Sequence, residues 1–135
     1  MKTLQLSLKK KWFDMTKPGI KPEDYRAITP YWVKRLTQCT SNFEHAAEEL
    51  LKGKAYIEDY YKYCNIKDDY CFPKHFDINI MTLGYPSKND TERIVSFKHD
   101  GIEVREGNPE WGAVPGVNYF VVKHGERIKP LVDHI

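Results

Sequence analysis

Beyond residue 75 the chain breaks into short β-patterned runs separated by turn signals, and this limits the possible folds more than any other feature. Phe76, Ile78 and Ile80 alternate with other residues, the two-residue period of a strand with one buried face. Gly84-Tyr85-Pro86 turns the chain. Residues 93–98 form the next strand, with Ile94 and Phe97 among its apolar residues. Asp100-Gly101 is a hairpin signal, after which residues 102–105 pair back. Glu106-Gly107-Asn108-Pro109 is a loop, residues 119–123 are an apolar strand, His124-Gly125 is a turn, and residues 128–135 add a last short strand. Strands this closely spaced build a small barrel.

The first half reads differently. Leu4, Leu6 and Leu8 alternate in a half-buried strand. Residues 9–15 then form a helix with Trp12 and Met15, joined by Leu8, as its apolar stripe. Lys9, Lys10 and Lys11 fill about one turn and cannot all face a core. Cations at a helix start oppose the macrodipole, which an anionic partner would relieve; the plainer reading is a solvated first turn. Thr29-Pro30 opens a second helix with a capping hydroxyl and a proline at the first position. Tyr31, Trp32, Arg35 and Leu36 give it two faces. Trp32 belongs to the core in one reading and to a ligand cleft in the other. Ser41-Asn42-Phe43-Glu44 looks like a capping box for a helix through Leu51 closed by Gly53, with Ala46, Ala47, Leu50 and Leu51 inward. A further helix is expected over residues 55–64. Tyr56, Tyr60, Tyr61, Tyr63 and Tyr70 share that region with Glu58, Asp59, Asp68 and Asp69, so residues 37–75 read as a packed insertion or lid. Helices first and strands later imply an α+β domain.

With 135 residues and 30% charged side chains, the chain suits one soluble domain, 1–135. Residues 1–35 hold nine Lys and Arg against three acids, +6, which leaves −4 for the rest of a chain of net charge +2. That asymmetry points to a local anion site rather than a general polyanion coat. No apolar run approaches membrane-spanning length, and Lys9–Lys11 interrupt any signal-peptide core. The three cysteines, Cys39, Cys64 and Cys71, are unevenly spaced. No disulfide framework is expected, and a reducing cytoplasm is. Cys64, Cys71 and His75 match no familiar zinc spacing, so neither metal nor cofactor is expected. His45, His75, His99, His124 and His134 read as surface residues.

The densest chemistry lies in residues 16–26, Thr-Lys-Pro-Gly-Ile-Lys-Pro-Glu-Asp-Tyr-Arg. Pro18 and Gly19 end the first helix. If the segment is extended, Lys21, Glu23 and Tyr25 face one way and Pro22, Asp24 and Arg26 the other. A turn near Pro22 would instead bring Lys21, Asp24 and Arg26 together. Lys21 beside Glu23 and Asp24 would stay a cation, suited to a phosphate or a carbonyl rather than to abstracting protons. Arg26 could pair with Asp24.

The spacing Gly19-x-Lys21-x-x-Asp24-x-Arg26 resembles the G-x-K-x-x-E-x-R signature of the ASCH domain, a PUA-like family. Two further blocks follow in the same order: Leu83-Gly84-Tyr85 with residues 93–97, and Gly107-Asn108-Pro109-Glu110-Trp111-Gly112-Ala113 with Pro115-Gly116 and Tyr119-Phe120-Val121-Val122. Together with Leu6-Ser7-Leu8-Lys9 and Ile28-Thr29-Pro30-Tyr31-Trp32 they are similar to small ASCH proteins of bacteria and phages, over residues 1–36 and 76–128. Residues 37–75 match no motif of the family.

The resemblance implies a PUA-like β-barrel with flanking helices and a cleft for RNA or a modified nucleoside or nucleotide. Lys21, Asp24 and Arg26 would recognise the ligand. Lys9, Lys10, Lys11 and Arg35 would assist with phosphates, and Trp111 either stacks on a base or caps the barrel. The rival expectation is a hydrolase on N4-acetylcytidine or RNA, with Lys21 and Asp24 catalytic. In the amidohydrolase branch of the family, the position of Asp24 is a threonine nucleophile; that hydroxyl is absent here, and Thr16 and Thr29 are its nearest substitutes in sequence. A third expectation is a protein-partner surface over residues 55–72.

Overall fold

The computed structural model describes residues 1–39, 42–52 and 71–129. The expected helix over 55–64, Ser41, Gly53, Cys64, His134, the tyrosine cluster as far as Tyr70 and nearly all of the last strand lie outside them. Within the described residues the chain is mixed α+β. Its elements are β1 (Thr3–Leu8), α1 (Lys10–Thr16), β2 (Glu23–Ala27), α2 (Pro30–Leu36), β3 (Thr37–Cys39), α3 (Phe43–Leu51), β4 (Cys71–Pro73), β5 (Ile78–Leu83), β6 (Ile94–Glu106) and β7 (Asn118–Ile128), with a 3-10 turn at Pro109–Trp111. Five strands form a sheet in the order β1-β5-β6-β7-β2, and β3 and β4 form a two-stranded ladder. No helix among the described residues is long and apolar enough to cross a membrane.

Two compact units can be distinguished. One comprises Met1–Glu23, His75–Asp100 and Lys123–Ile135; the other comprises Asp24–Lys74 and Gly101–Val122.

In the first unit β1 runs parallel to β5, from Thr3 opposite Ile78 to Leu8 opposite Leu83. The antiparallel partner of β5 is β6, with Ile78 opposite Lys98 and Thr82 opposite Ile94. Leu4, Leu6 and Leu8 are buried as their alternation predicts. The stripe of α1 is displaced by one residue from the expected one: Phe13 and Thr16 are buried, while Trp12 and Met15 are half-buried. Thr16 tolerates burial because its hydroxyl donates to the Trp12 carbonyl at 2.8 Å. On β5, Asn79, Met81 and Thr82 are buried and Ile78 and Ile80 are only half-buried. Counting apolar residues selects the wrong face here, because the buried Asn79 is satisfied by polar neighbours. Its Nδ2 donates to the Lys123 carbonyl at 3.0 Å and lies 2.9 Å from His124 Nδ1, and its Oδ1 lies 2.7 Å from His99 Nδ1. His124 is therefore buried rather than on the surface, stacked on Phe97 with ring centroids 4.7 Å apart.

Neither dipeptide turn signal of the second half reverses the chain. β6 runs on through Asp100-Gly101, and β7 runs on through His124-Gly125. Gly101 has φ 108°, so its left-handed backbone is accommodated within a continuing strand rather than in a two-residue hairpin. On β7, the His124 amide donates to the Pro22 carbonyl at 3.0 Å, and its buried ring belongs to the Asn79 network.

In the second unit α2 packs on α3 and on β3. Thr29 caps α2 by accepting from the Trp32 amide, with Pro30 at the first position. Val33 and Leu36 are fully buried, and Trp32 is not: it is half-buried. The core of this helix is thus set by its aliphatic residues, and the larger aromatic is left at the rim. The cap of α3 is Asn42, whose side chain accepts from the Glu44 and His45 amides, one residue later than the expected serine. Ala46, Ala47 and Leu50 are buried, whereas Leu51 at the helix end is exposed.

Candidate functional site

The signature segment divides into a buried lysine and a half-buried arginine, each held differently. In the first unit α1 ends at Pro18-Gly19, where Gly19 has φ 90°, a conformation that favours glycine. The Lys21 amide then bonds back to the Met15 carbonyl at 2.9 Å. This folds the side chain of Lys21 inward: it is only 2% exposed. Its Nζ donates to the Glu23 carbonyl at 2.8 Å and stands 5.9 Å from the centre of the Trp12 ring. Lys11 reaches the same ring at 4.8 Å. A buried ammonium must have its donors satisfied, and this one is tied to the backbone of its own loop.

Of the other basic residues near α1, Lys9 and Lys10 are exposed. Lys10 pairs with Asp14 at 2.6 Å in an open i,i+4 pair, an arrangement of little energetic weight. The first turn of α1 carries no acid, so the unfavourable cations at its start are real.

In the second unit β2 takes over. Asp24 and Arg26 are two apart on an extended strand and so share a face, as the extended reading predicts. Asp24 is 4% exposed. Its Oδ2 accepts from Arg26 Nε at 2.6 Å, a charge-assisted bond that fixes the plane of the guanidinium. The guanidinium carbon of Arg26 lies 5.1 Å from the centre of the Trp32 ring, and that of Arg35 lies 5.2 Å from it. Both distances fall within cation–π range. Arg35 follows Trp32 by three residues on α2, the spacing of neighbours on a helix face. Tyr31, 61% exposed, meets Trp32 edge-on at 4.9 Å and accepts a bond from Arg35 at 3.4 Å. The result is a half-buried indole with two guanidiniums and an exposed phenol around it. The sequence singled out Arg26 and Arg35 and left Trp32 between a core and a cleft role, without grouping the three. The i,i+3 spacing of Trp32 and Arg35 was the available signal.

The third block is built on Tyr25 of β2. Its hydroxyl accepts the Asn108 amide at 2.8 Å, and its ring lies 5.8 Å from that of Tyr119. A Cβ on Gly107 would stand 2.6 Å from the Tyr25 ring, so only glycine permits this approach. Asn108 caps the 3-10 turn by accepting from the Glu110 amide, and Gly112 closes it with φ 100°. Trp111 on that turn is half-buried.

The two hydroxyls nearest the signature in sequence both serve helices. Thr16 donates to Trp12, and Thr29 receives the Trp32 amide at 3.4 Å. Among the described residues no cluster of three His, Cys, Asp or Glu side chains could hold a metal. Elsewhere in the first unit, burial pushes the His99 imidazole below its ordinary pKa, with the nearby His75 adding to the effect. The exposed Asp77 carboxyl is held below its ordinary value chiefly by the Lys2 amide, which donates to it at 2.8 Å. Compared with family models, with curated proteins and with solved structures, the chain matches none.

Proposed function

We propose that the chain is a cytoplasmic ASCH-type module of PUA-like fold that binds RNA or a nucleotide-like ligand in a basic cleft lined by its signature segment. The observation that carries this reading is the grouping of Arg26 and Arg35 around Trp32, with Arg26 oriented by a buried aspartate. Two guanidiniums on one rigid aromatic suit the phosphates of a nucleotide. In this reading Arg26 and Arg35 touch the ligand, and Asp24 is the positioning residue for Arg26. Lys21 is the positioning residue for the backbone at Glu23, and Lys9, Lys10 and Lys11 supply longer-range attraction. Trp111 is assigned to stacking on a base. The mixed α+β composition and the +6 charge of residues 1–35 support the same reading.

The test is titration of a labelled short single-stranded RNA by fluorescence anisotropy at several salt concentrations. The logarithm of the affinity is expected to fall linearly with the logarithm of salt, and Arg26→Gln is expected to weaken binding in a variant that unfolds cooperatively at a lower temperature than the parent, because the buried Asp24 carboxylate loses its guanidinium bond. Absence of saturable, salt-sensitive binding to short RNA and to free nucleotides would sink the proposal. Incubation with N4-acetylcytidine tests the hydrolase alternative in the same preparation; cytidine release that is lost in a Lys21→Met variant still folded at the assay temperature would replace the binding reading with a catalytic one.

A further inference from the structure

The ladder of β3 and β4 sets Thr37 opposite Pro73, Gln38 opposite Phe72 and Cys39 opposite Cys71. In an antiparallel ladder, opposed pairs alternate between those that exchange backbone hydrogen bonds and those that do not. The second kind brings the Cα atoms to about 4.5 Å rather than about 5.5 Å. The phase of the alternation is fixed by two observations. The Lys74 amide donates to the Leu36 carbonyl at 2.9 Å, one step before Thr37 and Pro73 in the same register, so 36 and 74 are a bonded pair. Thr37 and Pro73 are then a non-bonded pair, which is where a residue without an amide proton belongs. Two steps further along, Cys39 and Cys71 fall on a non-bonded pair as well. Cystine bridges join Cα atoms about 4.4–6.8 Å apart, a window that admits this spacing without backbone movement.

We propose that Cys39 and Cys71 are a dithiol that oxidises to a cross-strand disulfide, leaving Cys64 as a thiol. The inference rests on backbone register and does not depend on the nucleic-acid reading. Cys39 is a thiol only partly covered. With a low-molecular-weight disulfide such as oxidised glutathione as the oxidant, the Cys39 thiolate attacks one of its sulfurs and releases one small thiol. The Cys71 thiolate then attacks the Cys39 sulfur of the mixed disulfide and releases the second. The protein loses two protons and two electrons, and the small disulfide is reduced to two thiols. In a reducing compartment the pair stays open; under oxidation the bond locks β3, which starts immediately after α2, to β4.

The full chain, equilibrated in glutathione buffers from reducing to oxidising, is quenched with N-ethylmaleimide and digested without reduction for mass spectrometry. The expected result is loss of two of the three maleimide-reactive thiols, a predominant linked peptide pair carrying Cys39 and Cys71, and Cys64 alkylated. Cys64→Ser should leave that species intact and Cys71→Ser should abolish it. A predominant bond to Cys64, or three alkylated cysteines in the most oxidising buffer, overturns the proposal.

Discussion

Two tryptophans near the signature segment each carry two cations, and the difference between them separates a structural charge from one suited to a ligand. Trp12 has Lys11 at 4.8 Å and Lys21 at 5.9 Å; Trp32 has Arg26 at 5.1 Å and Arg35 at 5.2 Å. Around Trp12 the second cation is buried and bonded to a backbone carbonyl. An ammonium withdrawn from water in this way serves the loop that surrounds it. Around Trp32 the cations are guanidiniums, with the Arg26 side chain still 18% exposed and oriented by Asp24. Guanidiniums are planar, weakly hydrated and geometrically defined, so they can hold a fixed geometry and still meet an anion. The lesson is that the lysine of the signature and its arginine are not interchangeable parts of one positive patch.

The largest expected effect of breaking this contrast is on stability. Lys21→Ala removes a buried donor from the Glu23 carbonyl and leaves the volume of its stem empty, and is expected to cost roughly 2–4 kcal/mol. Lys21→Met keeps most of that volume and should recover about half of the loss, since removing the charge also removes its desolvation cost. Urea unfolding measures both. A change below about 0.5 kcal/mol for Lys21→Ala, the size of an ordinary surface substitution, would mean that Lys21 is not the structural cation described. Gly107→Ala is next in size. A methyl group there meets the Tyr25 ring and Ala113, and overpacking of this kind costs about 1–3 kcal/mol. An unchanged denaturation midpoint would mean that the loop and Tyr25 separate at little cost.

Binding should show the opposite ranking. Arg26→Gln is expected to weaken short RNA by about tenfold, equivalent to ~1.4 kcal/mol. Arg35→Gln should cost less, and Lys10→Gln, an exposed residue paired with Asp14, least. Asp24→Asn tests the positioning role separately: it should lower affinity without removing a cation, and the salt dependence should stay close to that of the parent. If Lys10→Gln matches Arg26→Gln, diffuse charge rather than the Trp32 grouping governs binding.

The contrast between the two regions was partly readable in the sequence, and the division has a physical basis. Features set by a few adjacent residues were legible: the Leu4, Leu6, Leu8 face, the Thr29-Pro30 cap, the helix end at Gly19, and the shared face of Asp24 and Arg26. Features set by distant partners were not. Asp100-Gly101 and His124-Gly125 carry the local chemistry of turns, yet each lies inside a continuous strand. His124 looks like a surface residue because its partner Asn79 is forty-five positions away in the chain. Trp32 looks like core because size alone suggests burial, whereas Val33 and Leu36 already fill that role. The ASCH resemblance pointed to the segment but not to the opposite environments of its lysine and arginine.

The smallest expected effect concerns pH, and it should arise in the region of buried polar groups. Burial lowers the His99 pKa, aided by His75 and Lys123 and opposed by Asp100 and Asp77. The unfolded chain therefore takes up the proton first as pH falls through the ordinary histidine value of 6.5. By linkage, the native state is fully favoured above that pH and loses stability below it, toward the lower folded pKa. Asp77 adds a second window: its carboxylate is favoured in the fold by the Lys2 amide, so stability is lost as pH falls below 3.8. His99→Gln keeps a polar partner for Asn79 but cannot titrate. Its unfolding free energy, followed from pH 8 to pH 5, should therefore be flatter than that of the parent. The lower window should persist in that variant and vanish in Asp77→Asn. Equal slopes for parent and His99→Gln between pH 8 and pH 5 would remove His99 from the account and place the acid sensitivity elsewhere in the chain.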